Sequence, residues 1–167
     1  VAGSRGMAGA AVLSGRAALR AGAGLVRVAT PASVQDVVAA GFPCYTTVGI
    51  RQHADGTFGD GAVEELLEIA RQADVVAVGP GVAGFVRGLV AGLPDTPVVL
   101  DADGLNAVAP VRDPFPGRSA PLVMTPHPGE FARLLGTTVG EVQADRANLA
   151  TRFAAGFGVV LLLKGAG

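Results

Sequence analysis

The sequence predicts an α/β fold of three layers, with a mostly parallel central sheet and helices on both faces. Short apolar segments alternate along the chain with helical patterns, which is typical of buried parallel strands joined by helices. Turns rich in glycine, proline and aspartate follow several of these segments. With 167 residues, of which 50% are hydrophobic and 16% charged, the chain is long enough for one domain with a sizeable core.

The amino-terminal half alternates three predicted helices with three predicted strands. An alanine-rich helix comes first, in which Arg16 and Arg20 lie one turn apart on one face. Ser33 and Asp60 are predicted to cap the next two helices, because each stands just before a helical pattern. The predicted helices are Ala10–Ala21, Ser33–Ala40 and Ala62–Gln72, and the predicted strands are Leu25–Ala29, Tyr45–Ile50 and Asp74–Val78.

The carboxyl-terminal half continues this alternation and adds a proline-rich loop over Pro110–Pro121. Asp103 is placed to cap the second helix of this half. Val139–Ala155 is predicted to be one long helix, because apolar residues recur on one side of it. The predicted helices are Phe85–Leu93, Gly104–Ala109, Phe131–Leu135 and Val139–Ala155, and the predicted strands are Pro97–Leu100, Leu122–Met124 and Val159–Leu163.

The composition excludes several classes of protein. A formal net charge of −1 provides no basic surface for nucleic acid or an anionic membrane, so neither is expected as a partner. No apolar run approaches the roughly 20 residues of a membrane span. Cys44 is the single cysteine, which rules out a disulfide framework and favours a reducing, cytoplasmic location. We expect Cys44 to be a small core residue and His53 to be solvated in a polar loop.

The most informative segment is Thr125–Glu130, which follows the predicted strand Leu122–Met124. Prolines flank His127 on both sides and fix the loop, so the imidazole should occupy a defined position. Glu130 falls in the first turn of the next helix, where the helix dipole stabilises a carboxylate. A rigid polar loop at the carboxyl end of a buried strand is where open α/β sheets bind ligands, although a capped turn with a surface histidine would have the same sequence.

Five such turns are expected to lie along one edge of the sheet, because parallel strands bring their carboxyl ends together. Their glycines would let a ligand approach the backbone closely, and helix N-termini there could receive phosphates. Lys164 is the only lysine and is interpreted as a phosphate contact, with snorkelling towards water as the alternative. The five turns are Gly3–Gly9, Gly79–Gly84, Asp101–Asn106, Thr125–Glu130 and Lys164–Gly167.

Two of these turns allow other interpretations. Gly79, Gly81 and Gly84 match a G-x-G-x-x-G fingerprint, and Asp101 stands about 20 residues further on, as in dinucleotide-binding folds. Against this, the match lies in mid-chain rather than after a first strand, and a proline in the loop removes a backbone donor. Asp101 and Asp103 could bind a metal or act as acid and base, or they could simply stabilise their turn.

Taken together, five motifs resemble the ADP/ATP-dependent NAD(P)H-hydrate dehydratase family, a branch of the ribokinase-like superfamily. The resemblance runs through nearly the whole chain, and the order and spacing of the motifs make it specific. It implies a three-layer, ribokinase-like fold. The motifs are Gly9–Val26, Gly79–Gly81, Leu100–Asn106, Thr125–Leu134 and Leu163–Gly165.

The resemblance implies repair of hydrated NADH and NADPH. A nucleotide, ADP or ATP with Mg²⁺, would phosphorylate the ring hydroxyl of the hydrate, and elimination of phosphate would restore the cofactor. The positions that the resemblance assigns to the hydrate are Ala10, Gly81, Asp103, Asn106, His127, Pro128, Gly129, Glu130 and Arg133. The positions that it assigns to the nucleotide are Lys164, Gly165, Ala166 and Gly167.

The resemblance also implies parts that this sequence does not contain. Family members have a strand before the position of Val1, and after that of Gly167 a glycine-rich anion-binding loop ending in Gly-x-Gly-Asp, whose aspartate is the base. Residues 1–167 are therefore expected to form one partial ribokinase-like domain without a catalytic residue of its own and without turnover. A homo-oligomer is expected, with an NAD(P)H-hydrate epimerase as a further domain or partner.

Two other functions fit the same residues. A kinase of the same fold that acts on a vitamin-precursor alcohol would differ mainly in the pocket around His127. A non-enzymatic nucleotide-binding module would have no Gly-x-Gly-Asp loop anywhere in the complete protein.

Overall fold

The computed structural model describes residues 1–82, 84–113 and 115–165. Its helices are α1 (Ala8–Arg20), α2 (Gln35–Gly41), α3 (Ala62–Ala70), α4 (Val86–Ala91), α5 (Asp103–Val108), α6 (Pro128–Leu135), α7 (Val139–Ala144) and α8 (Arg146–Phe157). Its strands are β1 (Arg27–Pro31), β2 (Thr46–Ile50), β3 (Val76–Val78), β4 (Val98–Leu100), β5 (Leu122–Met124) and β6 (Val160–Leu161). None of the helices in the described ranges is both long and apolar enough to cross a membrane.

The sheet is parallel, as predicted, and residues 1–3 hold its two parts together. β1 pairs with β2, and β3, β4, β5 and β6 pair in that order. Ala2 N donates to Ala29 O of β1 at 3.1 Å. On the other side, Val1 N donates to Ala77 O of β3 at 2.7 Å. The spatial order is therefore β2, β1, residues 1–3, β3, β4, β5 and β6.

This order contains a point where the direction of winding reverses. From residues 1–3 the chain passes through α1 to β1 and then through α2 to β2, away from the centre of the sheet. It returns through α3 to β3 on the other side of residues 1–3, and from there continues outward to β6. Open α/β sheets bind their ligands in the crevice at such a reversal, just beyond the carboxyl ends of the strands.

Helices lie on both faces of the sheet, but one face is only partly covered. Right-handed crossovers in opposite directions place α1 and α2 on one face and α4, α5 and α6 on the other. Under α4–α6, Leu100 and Met124 are fully buried at 0% exposure. On the opposite face of the sheet, at β6 and just after it, Val160 and Leu162 are 56% and 60% exposed, so an apolar strip of the described sheet faces water.

The prediction of one continuous helix over Val139–Ala155 is wrong. The structure has two helices, α7 and α8, because Asp145 between them adopts φ −148° and ψ 53° and breaks the hydrogen-bond ladder. Thr138 caps α7 by accepting a hydrogen bond from Glu141 N, and Glu141 bonds back to Thr138 N. The apolar periodicity continues across the break, which explains why the sequence indicates a single helix.

The three predicted helix caps are not formed. Ser33 lies inside a 3₁₀ turn, Ala32–Val34, and makes no side-chain cap. The helix α3 starts after Gly61, whose positive φ of 79° turns the chain, and Asp60 remains exposed. Asp103 is the first residue of α5 and uses its carboxylate elsewhere, as described below.

Cys44 is exposed rather than in the core, and its neighbour explains the difference. Tyr45 takes the buried position before β2, where its hydroxyl donates to Val38 O at 2.6 Å. His53 is exposed, as predicted, and its Nε2 lies 3.8 Å from Asp60 Oδ1.

Candidate functional site

Loops with polar side chains meet at the carboxyl-terminal edge of the sheet, on either side of the reversal point. The loop that follows residues 1–3 contacts the loop that follows β3, because Gly3 N donates to Pro80 O at 2.8 Å. The turns after β4, β5 and β6 continue along the same edge. The structure therefore brings together the turns that the sequence places at one edge of the sheet.

Gly81 allows two of these loops to touch backbone to backbone. It adopts a positive φ of 84°, and a Cβ atom there would lie 2.7 Å from the carbonyl carbon of Gly3 and 3.0 Å from Ser4 N. Neither contact can be relieved by a side-chain movement, so a larger residue would push the loops apart. Gly81 consequently fixes the width of the crevice at the reversal point.

Four residues predicted to contact the hydrate form one chain of hydrogen bonds, which we call the α5–α6 polar chain. Gly81 N donates to Asp103 Oδ2 at 2.8 Å. Asn106 Nδ2 donates to Asp103 Oδ1 at 3.2 Å, and Arg133 Nε donates to Asn106 Oδ1 at 2.9 Å. Because Asn106 and Arg133 are exposed, the chain links the floor of the crevice to its surface.

Four further polar residues form a second group, which we call the Glu130 cluster: Asp101, His127, Glu130 and Lys164. Lys164 Nζ donates to Asp101 Oδ1 at 2.6 Å and lies 4.0 Å from Glu130 Oε2. His127 Nε2 lies 3.3 Å from Glu130 Oε1. Glu130 is only 6% exposed, so a buried carboxylate stands between the histidine and the lysine. Buried charges of this kind are retained when they are paired and hydrogen-bonded.

His127 is the N-cap of α6 as well as a candidate ligand contact. Its Nδ1 accepts hydrogen bonds from Gly129 N at 3.0 Å and Glu130 N at 3.3 Å. Glu130 Oε2 accepts in turn from His127 N at 2.8 Å, which completes a capping box. Because Nδ1 is an acceptor, the ring proton stands on Nε2, and the imidazole is 51% exposed at this edge.

Asp101 and Asp103 point to different partners because the residue between them turns the chain sharply. Ala102 has φ 48° and ψ −120°, a backbone conformation that residues other than glycine rarely adopt. Burial raises the pKa of the Asp101 carboxyl, but hydrogen bonds from Lys164 and Thr125 and the charge of Lys164 outweigh it, so this pKa lies below its ordinary value. The carboxylate is therefore ionised at neutral pH.

The interpretation of Asp101 and Asp103 as a metal site finds no support in the structure. Each carboxylate is occupied by donors of the protein, Asp101 by Lys164 and Asp103 by Gly81 and Asn106. Across residues 1–82, 84–113 and 115–165, no group of three or more His, Cys, Asp or Glu residues is arranged to hold a metal ion.

The remaining predicted residues lie along the same edge, with two exceptions. Ala10 is the third residue of α1, partly exposed, and its carbonyl accepts from the Ser14 hydroxyl at 2.9 Å. Pro128 and Gly129 form the first turn of α6. Gly165 is exposed and has a positive φ of 101°. Ala166 and Gly167, also predicted to bind the nucleotide, lie outside the described residues.

Arg146 is a residue of this edge that sequence reasoning missed. Its Nη2 donates to Lys164 O at 3.0 Å and to Gly165 O at 3.2 Å. An arginine at the start of a helix carries no signal of such a role, because the contact joins positions 18 and 19 residues apart. Only the packing of α8 beside β6 brings the two segments together.

The opposite, amino-terminal edge of the sheet also carries a cleft, of about 490 Å³, but it has a different character. Phe115, Phe157 and Val159 line it with apolar surface. Arg118 lies beside them and binds carbonyl oxygens of the protein itself. No residue of the α5–α6 polar chain or the Glu130 cluster lines this cleft.

Comparison with known proteins identifies relatives along the whole chain. A family model described as NAD(P)H-hydrate dehydratase matches residues 1–167. The chain is 42% identical over 172 residues to a bifunctional NAD(P)H-hydrate repair enzyme of Moorella thermoacetica, which covers 99% of this chain and 32% of that one. It is 35% identical over 171 residues to the ADP-dependent (S)-NAD(P)H-hydrate dehydratase of Bacillus subtilis, which covers 99% of this chain and 56% of that one.

A solved structure supports the same relationship. The ADP/ATP-dependent NAD(P)H-hydrate dehydratase of Bacillus subtilis, co-crystallised with ATP and Mg²⁺, superposes with a TM-score of 0.79 at 33% identity. The superposition covers 99% of this chain and 56% of that chain, which confirms the predicted α/β fold. The chain thus spans about a third to a little over half of the length of these relatives.

Proposed function

The chain belongs to the NAD(P)H-hydrate dehydratase family, and on this premise we propose that the complete protein repairs hydrated nicotinamide cofactors. The proposed reaction is the ADP-dependent dehydration of (S)-NAD(P)H hydrate to NAD(P)H, with release of AMP and phosphate. The single observation that carries the proposal for these residues is the convergence of the α5–α6 polar chain and the Glu130 cluster on one edge of the sheet.

The hydrate would lie over the crevice at the reversal point, and the nucleotide over the turn that follows β6. We assign Gly81, His127 and the exposed ends of the α5–α6 polar chain to the hydrate. Lys164 and Gly165 are assigned to the nucleotide, because an ammonium beside a glycine turn suits phosphate oxygens. Glu130 lies between the two half-sites and 4.0 Å from Lys164 Nζ. The two ligands would therefore meet near this buried carboxylate.

The chemistry needs positioned charge more than covalent participation of the protein. The hydroxyl oxygen of the hydrated ring attacks the terminal phosphorus of ADP, the bond to AMP breaks, and the hydroxyl proton passes to a base. The carbon–oxygen bond to the new phosphate then breaks as a proton leaves the neighbouring ring carbon, which restores the double bond. Lys164 would place positive charge beside the transferring group, the main contribution that proteins make to phosphoryl transfer.

We expect Mg²⁺ to arrive with the nucleotide. Mg²⁺ usually binds through substrate phosphates with only one or two protein carboxylates, so no dedicated cage is required. Asp101 is already paired with Lys164 at 2.6 Å, so we propose that the nucleotide phosphates, rather than this carboxylate, hold the ion. The base is proposed to lie in a part of the complete protein beyond the present residues.

Several further properties of the complete protein are proposals of the same kind. We propose a cytoplasmic location, which the exposed, unpaired thiol of Cys44 favours because such thiols persist in reducing compartments. We propose a homo-oligomer. We also propose that an NAD(P)H-hydrate epimerase acts with this protein, because some of its relatives are named bifunctional repair enzymes.

The proposal is tested by supplying the complete protein with chemically hydrated NADH, Mg²⁺ and either ADP or ATP. The expected result is the return of the near-ultraviolet absorbance of the dihydronicotinamide ring, together with stoichiometric AMP when ADP is used. A reaction without nucleotide serves as the control. If a phosphorylated alcohol accumulates instead, the protein is a kinase; if nucleotide binds without any turnover, it is a binding module.

A further inference from the structure

The guanidinium of Arg146 grips the turn at the end of β6 from one side. Its Nη2 donates to three successive carbonyl oxygens, those of Leu163 at 3.4 Å, Lys164 at 3.0 Å and Gly165 at 3.2 Å. Its Nη1 donates to Gln143 Oε1 at 2.9 Å, which orients the planar group from the end of α7. Three carbonyls converging on one cation is an unusual arrangement for a strand end, where successive carbonyls normally alternate in direction.

The direction of the carbonyls fixes the direction of the amides. In a planar trans peptide the C=O and N–H bonds point in opposite directions. When Arg146 holds Lys164 O, the N–H of Gly165 must therefore point away from Arg146. The positive φ of Gly165, 101°, allows the chain to keep this direction over consecutive peptides. The N–H of Lys164 is taken by Pro126 O, so the N–H of Gly165, beside the Lys164 ammonium, is the amide that this arrangement offers to an anion.

The same turn is tied to the His127 loop from another side. Lys164 N donates to Pro126 O at 2.8 Å, and Lys164 Nζ reaches Asp101 at 2.6 Å. The backbone of residues 163–165 is thus held between Pro126 and Arg146, while Nζ stays at the carboxyl-terminal edge. Because the guanidinium of Arg146 already donates to these carbonyl groups, it does not itself contact a ligand.

We propose that Arg146 is a positioning residue for the nucleotide phosphates: it does not touch them, but it turns the amide of Gly165 towards them. The inference rests on the proposed function, because it takes Lys164–Gly165 as the phosphate-binding turn. It adds a residue from α8 that orders this turn before the ligand arrives. Pre-ordering of this kind raises affinity by reducing the entropy lost on binding.

The test compares Arg146→Ala and Arg146→Lys with Arg152→Ala in the complete protein. Arg152 lies on the same helix and is exposed, so its loss removes the same charge without touching the turn. Mg·ADP binding is measured by titration calorimetry, and the KM for hydrated NADH by its absorbance assay. We expect Arg146→Ala to raise the Kd for ADP about tenfold, or about 1.4 kcal/mol, because the turn would then have to be ordered when the ligand binds. The KM for the hydrate should stay within about twofold of the wild-type value.

Arg146→Lys should recover part of the ADP affinity, because an ammonium keeps the charge but cannot bond several carbonyls in the same plane. Arg152→Ala should bind ADP like the wild type. The proposal is overturned if Arg146→Ala binds ADP with unchanged affinity, or if both ligands weaken equally together with a lowered melting temperature. ADP binding is measured without turnover, so these outcomes test the role of Arg146 alone. The proposed function would be rejected by a different result, namely failure of the wild-type protein to repair the hydrate.

Discussion

Two arginines at opposite edges of the sheet make the same kind of contact in very different places. Arg118, at the amino-terminal edge, donates to the carbonyl oxygens of Val90, Leu93, Thr96 and Pro121 at 2.8–3.3 Å. Arg146, at the carboxyl-terminal edge, donates to three carbonyls in the turn that follows β6. Each guanidinium donates to backbone carbonyl groups at the end of a helix or strand or in the segment beside it.

The difference lies in what each arginine holds. Arg118 ties the end of α4 to the segment that enters β5, and its Nε is buried without a partner among the described residues. Burial removes water from its guanidinium and thereby lowers the pKa of this group. Arg146 holds a turn that we assign to a ligand. The same chemistry therefore stabilises the fold at one edge and prepares a binding turn at the other.

The largest effect is expected from Arg118→Ala. Removing hydrogen bonds from a charged group to several half-buried carbonyls should lower the free energy of unfolding by about 2–4 kcal/mol. The measurement is urea denaturation of the complete protein, with Arg112→Ala as the control, because Arg112 is exposed and should matter by less than about 0.5 kcal/mol. Folded Arg118→Ala should bind ADP normally. If Arg118→Ala weakened ADP binding without a matching loss of stability, Arg118 would also contribute to binding, and the two edges would not differ in this way.

Substitution of His127 is expected to have a smaller effect on stability, together with a separate effect on hydrate binding. His127→Ala removes the N-cap of α6, which should cost about 1 kcal/mol of stability, and should also weaken hydrate binding about threefold to tenfold. His127→Asn keeps an N-cap acceptor, so it should restore the stability but not the hydrate affinity. Denaturation and hydrate titration of both variants separate the two roles. If asparagine restores both quantities, His127 is structural in the way that Arg118 is.

The smallest effect is expected from the pair formed by Lys164 and Asp101. Both side chains are more than a third exposed, so solvent screening should keep the contribution of the pair below about 1 kcal/mol. The folded-state pKa of Asp101 lies below its ordinary value. This contribution is therefore complete above the unfolded pKa of about 3.9 and disappears as the pH falls through the lower folded pKa.

Asp101→Asn should accordingly lower stability slightly at pH 7 and progressively less as the pH falls below about 3.9. The control is Asp74→Asn, since Asp74 is exposed, and the measurement is the free energy of unfolding as a function of pH. An Asp101→Asn loss as large as that of Arg118→Ala would mean that the carboxyl-terminal edge, too, is built for stability.

The sheet could be predicted from the sequence because its signals are local. Leu122–Met124 has the predicted bounds, and the predicted strand Asp74–Val78 contains the observed Val76–Val78. The helix caps could not be predicted in the same way. Asp103 has the sequence context of a cap, but a backbone N–H from a loop 22 residues earlier takes its carboxylate. Tertiary contacts thus override local preference wherever a polar side chain can reach another loop.

The site could be predicted as a set of turns but not as a network. Parallel strands place Lys164 and Asp101 at one edge, yet the 2.6 Å contact between them joins residues 63 positions apart. The buried position of Glu130 between His127 and Lys164 depends on how α6 packs, which no spacing reveals. The ligand assignments themselves remain predictions, to be decided by the titrations.

The water-facing apolar strip on the sheet has a practical consequence for handling the protein. Val75, Val160 and Leu162 are each more than half exposed on the side of the sheet away from α4–α6. Exposed apolar surface of this sort attracts amphiphilic dyes, chromatography resins and other copies of the same chain. In a thermal-shift experiment on residues 1–167, dye bound to this surface would therefore add a fluorescence signal that does not come from unfolding.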